Sequence, residues 1–166
     1  VNTELKWSNT EGFDNDGDKR ATIEKVAFYT LDPFEPVTIL QGGEWVTFLA
    51  VIKANEDISN LAFSFSINDS LTNSMVAVNT FFHKKQIPDI NTGERVFIKI
   101  SFKMPLLKNG EYFSGVAVTE RDYIGKSVIH RVYDCIQFKI ENKSDLHRQG
   151  GVIVLDEVEI FSDKIG

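Results

Sequence analysis

Short apolar runs separated by turn sequences cover most of the chain after residue 21. The alternation is clearest over residues 95–103, where the apolar side chains at every second position would share one face of a strand and the charged ones the other. Short strands at even spacing, with turn chemistry between them, are typical of a β-sandwich or barrel. The pattern predicts strands over residues 22–30, 37–40, 45–54, 61–68, 75–80, 95–103, 112–120, 128–140 and 151–160.

No stretch of a dozen residues keeps an apolar period of 3.6, so helices should be short or absent. Residues 1–21 are polar and rich in turn sequences, with Trp7 and Phe13 as their aromatic anchors, and they predict a linker or N-terminal arm. Residues 22–141 are predicted to form the sandwich, and residues 142–166 a linker followed by a C-terminal strand. The predicted fold class is all-β, an immunoglobulin-like antiparallel sandwich.

The amino-acid composition limits the classes of function that we expect for this protein. With 166 residues, of which 42% are hydrophobic, the chain can bury the core of one domain. Its net charge of −6 and its lack of a basic cluster argue against binding to nucleic acid. The single cysteine, Cys135, cannot form an intrachain disulfide, which favours a reducing compartment. No apolar run is long enough to span a bilayer.

Motifs for catalysis and metal binding are incomplete. The fragment Gly125-Lys126-Ser127 lacks the upstream glycine of a phosphate-binding loop, because Glu120 stands there. The histidines, at 83, 130 and 147, do not have the spacing of zinc ligands. We therefore expect no catalysis, no cofactor and no metal. A small hydrolase with a carboxylate pair stays an alternative, since such pairing is spatial and cannot be read from sequence.

One of the two predicted sheets has a distinctive outer face. In immunoglobulin-like order, this sheet contains the runs 61–68, 75–80, 112–120 and 128–140, and its core-facing positions are apolar apart from Asp134. The opposite face has a floor of small residues and a border of large ones. It comprises Ala62, Ser64, Ser66, Ala77, Asn79, Gly115, Ala117, Thr119, Arg131, Tyr133, Cys135 and Gln137.

A shallow trough with polar and aromatic edges suits a sugar, whose hydroxyls need hydrogen-bond partners and whose C–H face stacks on rings. The loop that follows residue 80 adds Phe81, Phe82 and His83, and its two rings would either be exposed or pack on the core. The predicted ligand-binding residues are Ser64, Ser66, Asn79, Phe82, His83, Thr119, Arg131, Tyr133 and Gln137. Two alternatives remain open: the face could simply meet water, or it could dock a partner chain in a structural or protein-interaction domain.

A set of short motifs also has a familiar order and spacing. The motifs are Ala21-Thr-Ile-Glu-Lys-Val26, Gln41-Gly-Gly-Glu44, Asn79-Thr80, Asn109-Gly-Glu-Tyr112, Tyr133-Asp134 before Phe138, and Gly150-Gly151. Over residues 20 to 160 the chain resembles the Wzt C-terminal domain family. These domains follow the ATPase in ABC transporters that export O-antigen and related polysaccharides in Gram-negative bacteria.

The resemblance implies a sandwich that recognises the modified non-reducing end of a lipid-linked glycan and licenses it for export. It also implies a homodimer in which the C-terminal strand, here residues 151–160, is exchanged between subunits. An ATPase half would then precede Val1 and contact the transporter's membrane subunit. That arrangement places the domain in the cytoplasm, peripheral to the inner membrane.

Overall fold

The computed structural model describes residues 4–121, 126–143, 145 and 158–162. Within this part of the chain, no helix is long and apolar enough to cross a membrane. The strands are β1 (Ser8–Asn9), β2 (Asn15–Asp16), β3 (Ala21–Thr30), β4 (Ile39–Leu40), β5 (Trp45–Ala54), β6 (Leu61–Asp69), β7 (Ser74–Asn79), β8 (Arg95–Lys103), β9 (Gly110–Arg121) and β10 (Lys126–Ile140).

The strands form two sheets. The first has the order β1-β3-β5-β8, and the second has the order β2-β10-β9-β6-β7. Neighbouring strands are antiparallel except for β4, which pairs with β10 in parallel. The predicted all-β sandwich is confirmed, and the four runs that the sequence pattern assigned to one sheet, 61–68, 75–80, 112–120 and 128–140, lie together in the second sheet.

The core lies between the inner faces of the two sheets and is rich in phenylalanine. Phe48 of the first sheet stacks on Phe65 of the second, with ring centroids 4.9 Å apart, while Phe28 meets Phe138 edge to face at 5.4 Å. Phe63 is fully buried beside them. Burying a side chain of this size contributes roughly 1.5–3 kcal/mol, so the alternating apolar positions fix which face of each strand points inward.

β10 departs from strict alternation at Asp134 and Cys135. The register between β10 and β9 shifts between Val132 and Ile136, and Asp134 has a φ of 50°, which marks a β-bulge. Between these two positions β10 advances four residues while β9 advances two, so the bulge adds two residues to β10. Within it Cys135 is buried in the core and Asp134 is exposed. The expectation that Cys135 faces outward and Asp134 inward is therefore wrong.

The segment predicted as a linker or arm pairs with both sheets. β1 pairs with β3, and β2 pairs with β10. Leu5 and Trp7 pack on Ala27, Tyr29 and Leu49, on the outer face of the first sheet. Residues 4–21 therefore border the sandwich on two sides, and β2 reaches the strand that carries part of the predicted site.

The predicted C-terminal strand falls largely outside the described residues, which leave out 151–157. Of the last part of the chain, residues 158–162 are described; they are exposed and lie in no strand. The exchange of this strand between subunits stays a prediction.

Candidate functional site

A cleft of about 440 Å³ lies on the outer face of the second sheet, across β7, β6, β9 and β10. This is the face on which the sequence placed small residues between large borders. Eight of the nine predicted ligand-binding residues line the cleft: Ser64, Ser66, Asn79, Phe82, His83, Thr119, Arg131 and Tyr133.

The floor of the cleft is built from residues with little or no side chain. Ser66 pairs with Ala77 on one side and with Gly115 on the other, and Ser64 pairs with Ala117. A Cβ added at Gly115 would lie 3.3 Å from the carbonyl oxygen of Val132. A larger residue at position 115 would crowd β10, so glycine keeps the backbone itself as the floor.

Thr119 supplies a buried hydroxyl at the cleft. The residue is 6% exposed, and its Oγ1 has no hydrogen-bond partner among the described residues. An unsatisfied buried polar group costs about 1–3 kcal/mol. A ligand hydroxyl that bonds to Thr119 would remove this cost, and the unpaired group therefore marks a polar contact point within the cleft.

One wall is the turn after β7. Asn79 Oδ1 accepts a hydrogen bond from the Phe81 backbone N–H at 2.8 Å, and His83 Nδ1 lies 2.9 Å from the Asn79 carbonyl oxygen. Because a carbonyl only accepts, Nδ1 is the nitrogen that donates in this contact, and Nε2 is not used by it. Phe81 and Phe82 are both exposed, at 53% and 70%, so neither ring packs into the core.

The opposite wall is a network that joins β10 to β2. The Tyr133 hydroxyl donates to Asp16 Oδ2 at 2.6 Å, and Arg131 Nη1 donates to the Tyr133 hydroxyl at 3.2 Å. Arg131 also lies 3.7 Å from Asp16. The hydrogen bond to Tyr133 raises the pKa of Arg131, so its guanidinium stays charged. The network fixes a half-exposed tyrosine ring in place.

Gln137 does not join the cleft. It lies on β10 beyond the bulge, opposite Phe113, and its Nε2 donates to Glu111 Oε2 at 3.1 Å. The outer face of β10 therefore contributes its polar residues to two separate surfaces.

The sequence analysis missed three polar residues of the lining: Asn68, Arg121 and Asp134. Arg121 lies over the rings of Phe81 and Phe82, with its guanidinium carbon 4.1 and 4.9 Å from their centroids. Asn68 and Arg121 continue the alternation of Ser64 and Ser66 and of Ala117 and Thr119, so the period of two could have found them. Asp134 reaches the cleft through the bulge, which this period does not predict.

The described lining offers little for catalysis. It contains one carboxylate, that of Asp134, so it holds no pair of acids for hydrolysis. Among the described residues, no group of three or more histidine, cysteine, aspartate or glutamate side chains is placed to hold a metal ion. The lining offers hydroxyls, amides, guanidinium groups and rings, which are groups that bind polar ligands.

Comparison with solved structures finds a protein described as the C-terminal domain of Wzt, with a TM-score of 0.78 and 17% sequence identity. The match covers 95% of this chain and 93% of that one, and at this identity it shows a shared fold. No curated protein sequence gives a match. The model of the Wzt C-terminal domain family matches residues 14–154. The chain therefore belongs to the Wzt C-terminal domain family, a non-catalytic family.

Proposed function

We propose that the domain binds the modified non-reducing end of an O-antigen-type polysaccharide in the cleft of the second sheet. Family membership supports a carbohydrate ligand and a role in a polysaccharide ABC transporter. The observation that carries the proposal for this chain is the cleft itself, which has a backbone floor between two polar and aromatic walls. It also holds the buried Thr119 hydroxyl, which has no hydrogen-bond partner in the part of the chain that the structure describes.

The chemistry of the cleft matches that of a sugar. The Tyr133 ring is 42% exposed and held by Asp16, so it can stack on the C–H face of a sugar ring with little loss of side-chain freedom. Sugar hydroxyls can form hydrogen bonds with His83 Nε2, Ser64, Ser66 and Thr119. The cleft volume lies within the range of small-ligand sites, which suits the end of a chain better than a long internal stretch.

In this proposal the domain acts within a larger assembly. It forms a homodimer through residues 151–160, and an ATPase domain connects it to the membrane subunit of the transporter. The bound glycan end would report that the polysaccharide is complete. The domain then lies in the cytoplasm, at the inner membrane.

Replacing Tyr133 with alanine tests the cleft. Titration of the isolated O-polysaccharide of the source strain into the Tyr133→Ala domain should show an affinity lower by about 1 to 3 kcal/mol, because the stacking surface for the sugar is removed. The measurement is isothermal titration calorimetry of the variant beside the wild-type domain.

The matched control is Phe97→Ala. Phe97 is a similarly exposed ring, at 53%, but it lies on β8 of the first sheet, away from the cleft. This variant should bind as the wild type does. Equal binding by the wild type and Tyr133→Ala, or no binding by the wild type, would overturn the proposal.

A further inference from the structure

A second, smaller pocket of about 300 Å³ adjoins the main cleft at the Phe81 turn. It is lined by Asn60, Leu61, Phe81, Lys84, Lys85, Gln86 and Arg121. Arg121 also lines the main cleft, so the two pockets meet at this side chain. A ligand that fills the main cleft and continues past Arg121 would enter the second pocket.

Arg121 lies at the junction and has no counter-ion among the described residues. Its guanidinium lies over the Phe81 and Phe82 rings, an arrangement that favours a cation. Its Nε is buried and has no hydrogen-bond partner among the described residues. Of the four arginines in the described part of the chain, Arg20, Arg95 and Arg131 each form a salt bridge, whereas Arg121 forms none.

The charge of the second pocket is opposite to that of the whole chain. Its described lining contains three cations, Lys84, Lys85 and Arg121, and no carboxylate, while the chain has a net charge of −6. The two lysines are exposed and lie in a tight turn, in which Lys84 has a φ of 53° and its backbone N–H donates to the Phe81 carbonyl. The turn therefore holds the lysines beside Arg121.

From this geometry we infer that the second pocket is a cationic subsite that receives a negatively charged group of the glycan. The inference rests on the proposed function, because the main cleft holds the neighbouring sugar. Guanidinium groups bind carboxylate and phosphate oxygens through short charge-assisted hydrogen bonds, and lysines add point charges. The anion is either the carboxylate of an acidic sugar or a phosphate substituent, which present the same oxygen chemistry.

The test measures the binding of native and chemically edited polysaccharide to the wild-type domain and to a lysine variant. The double substitution Lys84→Gln and Lys85→Gln changes exposed side chains, and it should weaken binding of the native O-polysaccharide of the source strain by roughly three- to tenfold. Lys99→Gln, on the outer face of the first sheet, is the control that should bind as the wild type does. Arg121→Gln should weaken binding further, with its thermal unfolding measured alongside to verify that it folds.

The editing steps separate the two sources of charge. Carbodiimide activation followed by borohydride reduction converts carboxylates to alcohols, and treatment with aqueous hydrogen fluoride removes phosphate groups. One of the two products should bind the wild-type domain as weakly as native polysaccharide binds the lysine variant, and the lysine variant should not discriminate further against it.

Two outcomes would overturn the subsite. In the first, both edited products bind the wild type as native polysaccharide does; in the second, the lysine variant binds native polysaccharide with wild-type affinity. Either result leaves the proposed function standing as long as Tyr133→Ala still loses affinity. If the wild type binds neither native nor edited polysaccharide, the proposed function fails and the subsite fails with it.

Discussion

His130 joins the two sheets at the end of the sandwich near β2. It is 4% exposed, and its Nδ1 accepts a hydrogen bond from the backbone N–H of Ile23 at 2.9 Å. Burial lowers the pKa of His130, and the charge of Lys19 lowers it further, while Asp16 opposes the shift. The folded protein therefore holds this ring neutral, because a protonated Nδ1 could not accept the bond from β3.

Stability should consequently fall on the acidic side of neutrality. The pKa of His130 in the fold lies below its ordinary value of 6.5, so between these two pKa values the unfolded chain binds more protons than the folded one. The contribution of His130 is fully present above pH 6.5 and is lost as the pH falls through the pKa of the folded state. Urea unfolding between pH 8 and pH 5 measures the slope.

His130→Asn is the matched variant, because an asparagine oxygen can accept the same backbone hydrogen bond without titrating. The free energy of unfolding of this variant should depend less steeply on pH than that of the wild type between about pH 6.5 and pH 5. His83 and the carboxylates are unchanged in the variant, so the difference reports His130. Identical slopes for the two proteins would contradict this account.

At the scale of the element, the bulge in β10 determines what that strand contributes. Before the bulge, Arg131 and Tyr133 line the cleft; after it, Gln137 lies on another surface, bonded to Glu111. The bulge also buries Cys135, and burial raises the pKa of its thiol to about 12, which keeps the sulfur protonated at physiological pH. The bulge therefore lies between the part of β10 that lines the cleft and the part that carries Gln137 outside it.

The backbone conformation of Asp134 allows the bulge to be tested by substitution. Its φ of 50° lies in the left-handed region, which glycine and asparagine tolerate and β-branched residues do not. Asp134→Val should lower the free energy of unfolding by about 1–2 kcal/mol relative to Asp134→Gly. Asp134→Asn should stay close to the wild type. Chemical denaturation of the three variants measures the differences, and equal stability of the valine and glycine variants would show that the bulge relaxes at no cost.

The sequence predicts those strands in which buried and exposed side chains alternate regularly. A strand with one buried face must alternate, so residues such as Phe63 and Val116 reveal both the strand and its inward face. A bulge breaks this period without leaving a compositional mark of its own, and for this reason Asp134 and Cys135 were assigned to the wrong faces. Arg121 was missed for a different reason: the long alternation of β9 was followed only as far as Thr119.

At the scale of the whole molecule, the cleft depends on pieces that are far apart in the chain. Its floor comes from β6 and β9, one wall from the turn after β7, and the other from β10 held by Asp16 of β2. The sequence could predict that small and polar residues share a face, because they share a period. It could not predict that Asp16 fixes Tyr133, since that contact joins residues 117 positions apart.

The central claim is the location of the glycan, and chemical-shift mapping tests it most directly. An isotope-labelled domain would be titrated with the O-polysaccharide of the source strain while its backbone amide resonances are followed. The account predicts perturbations in β6, β9, the turn at 79–85 and the first part of β10, with β3, β5 and β8 unaffected. Perturbations concentrated on the first sheet, or on the end of β10 around Gln137, would contradict it.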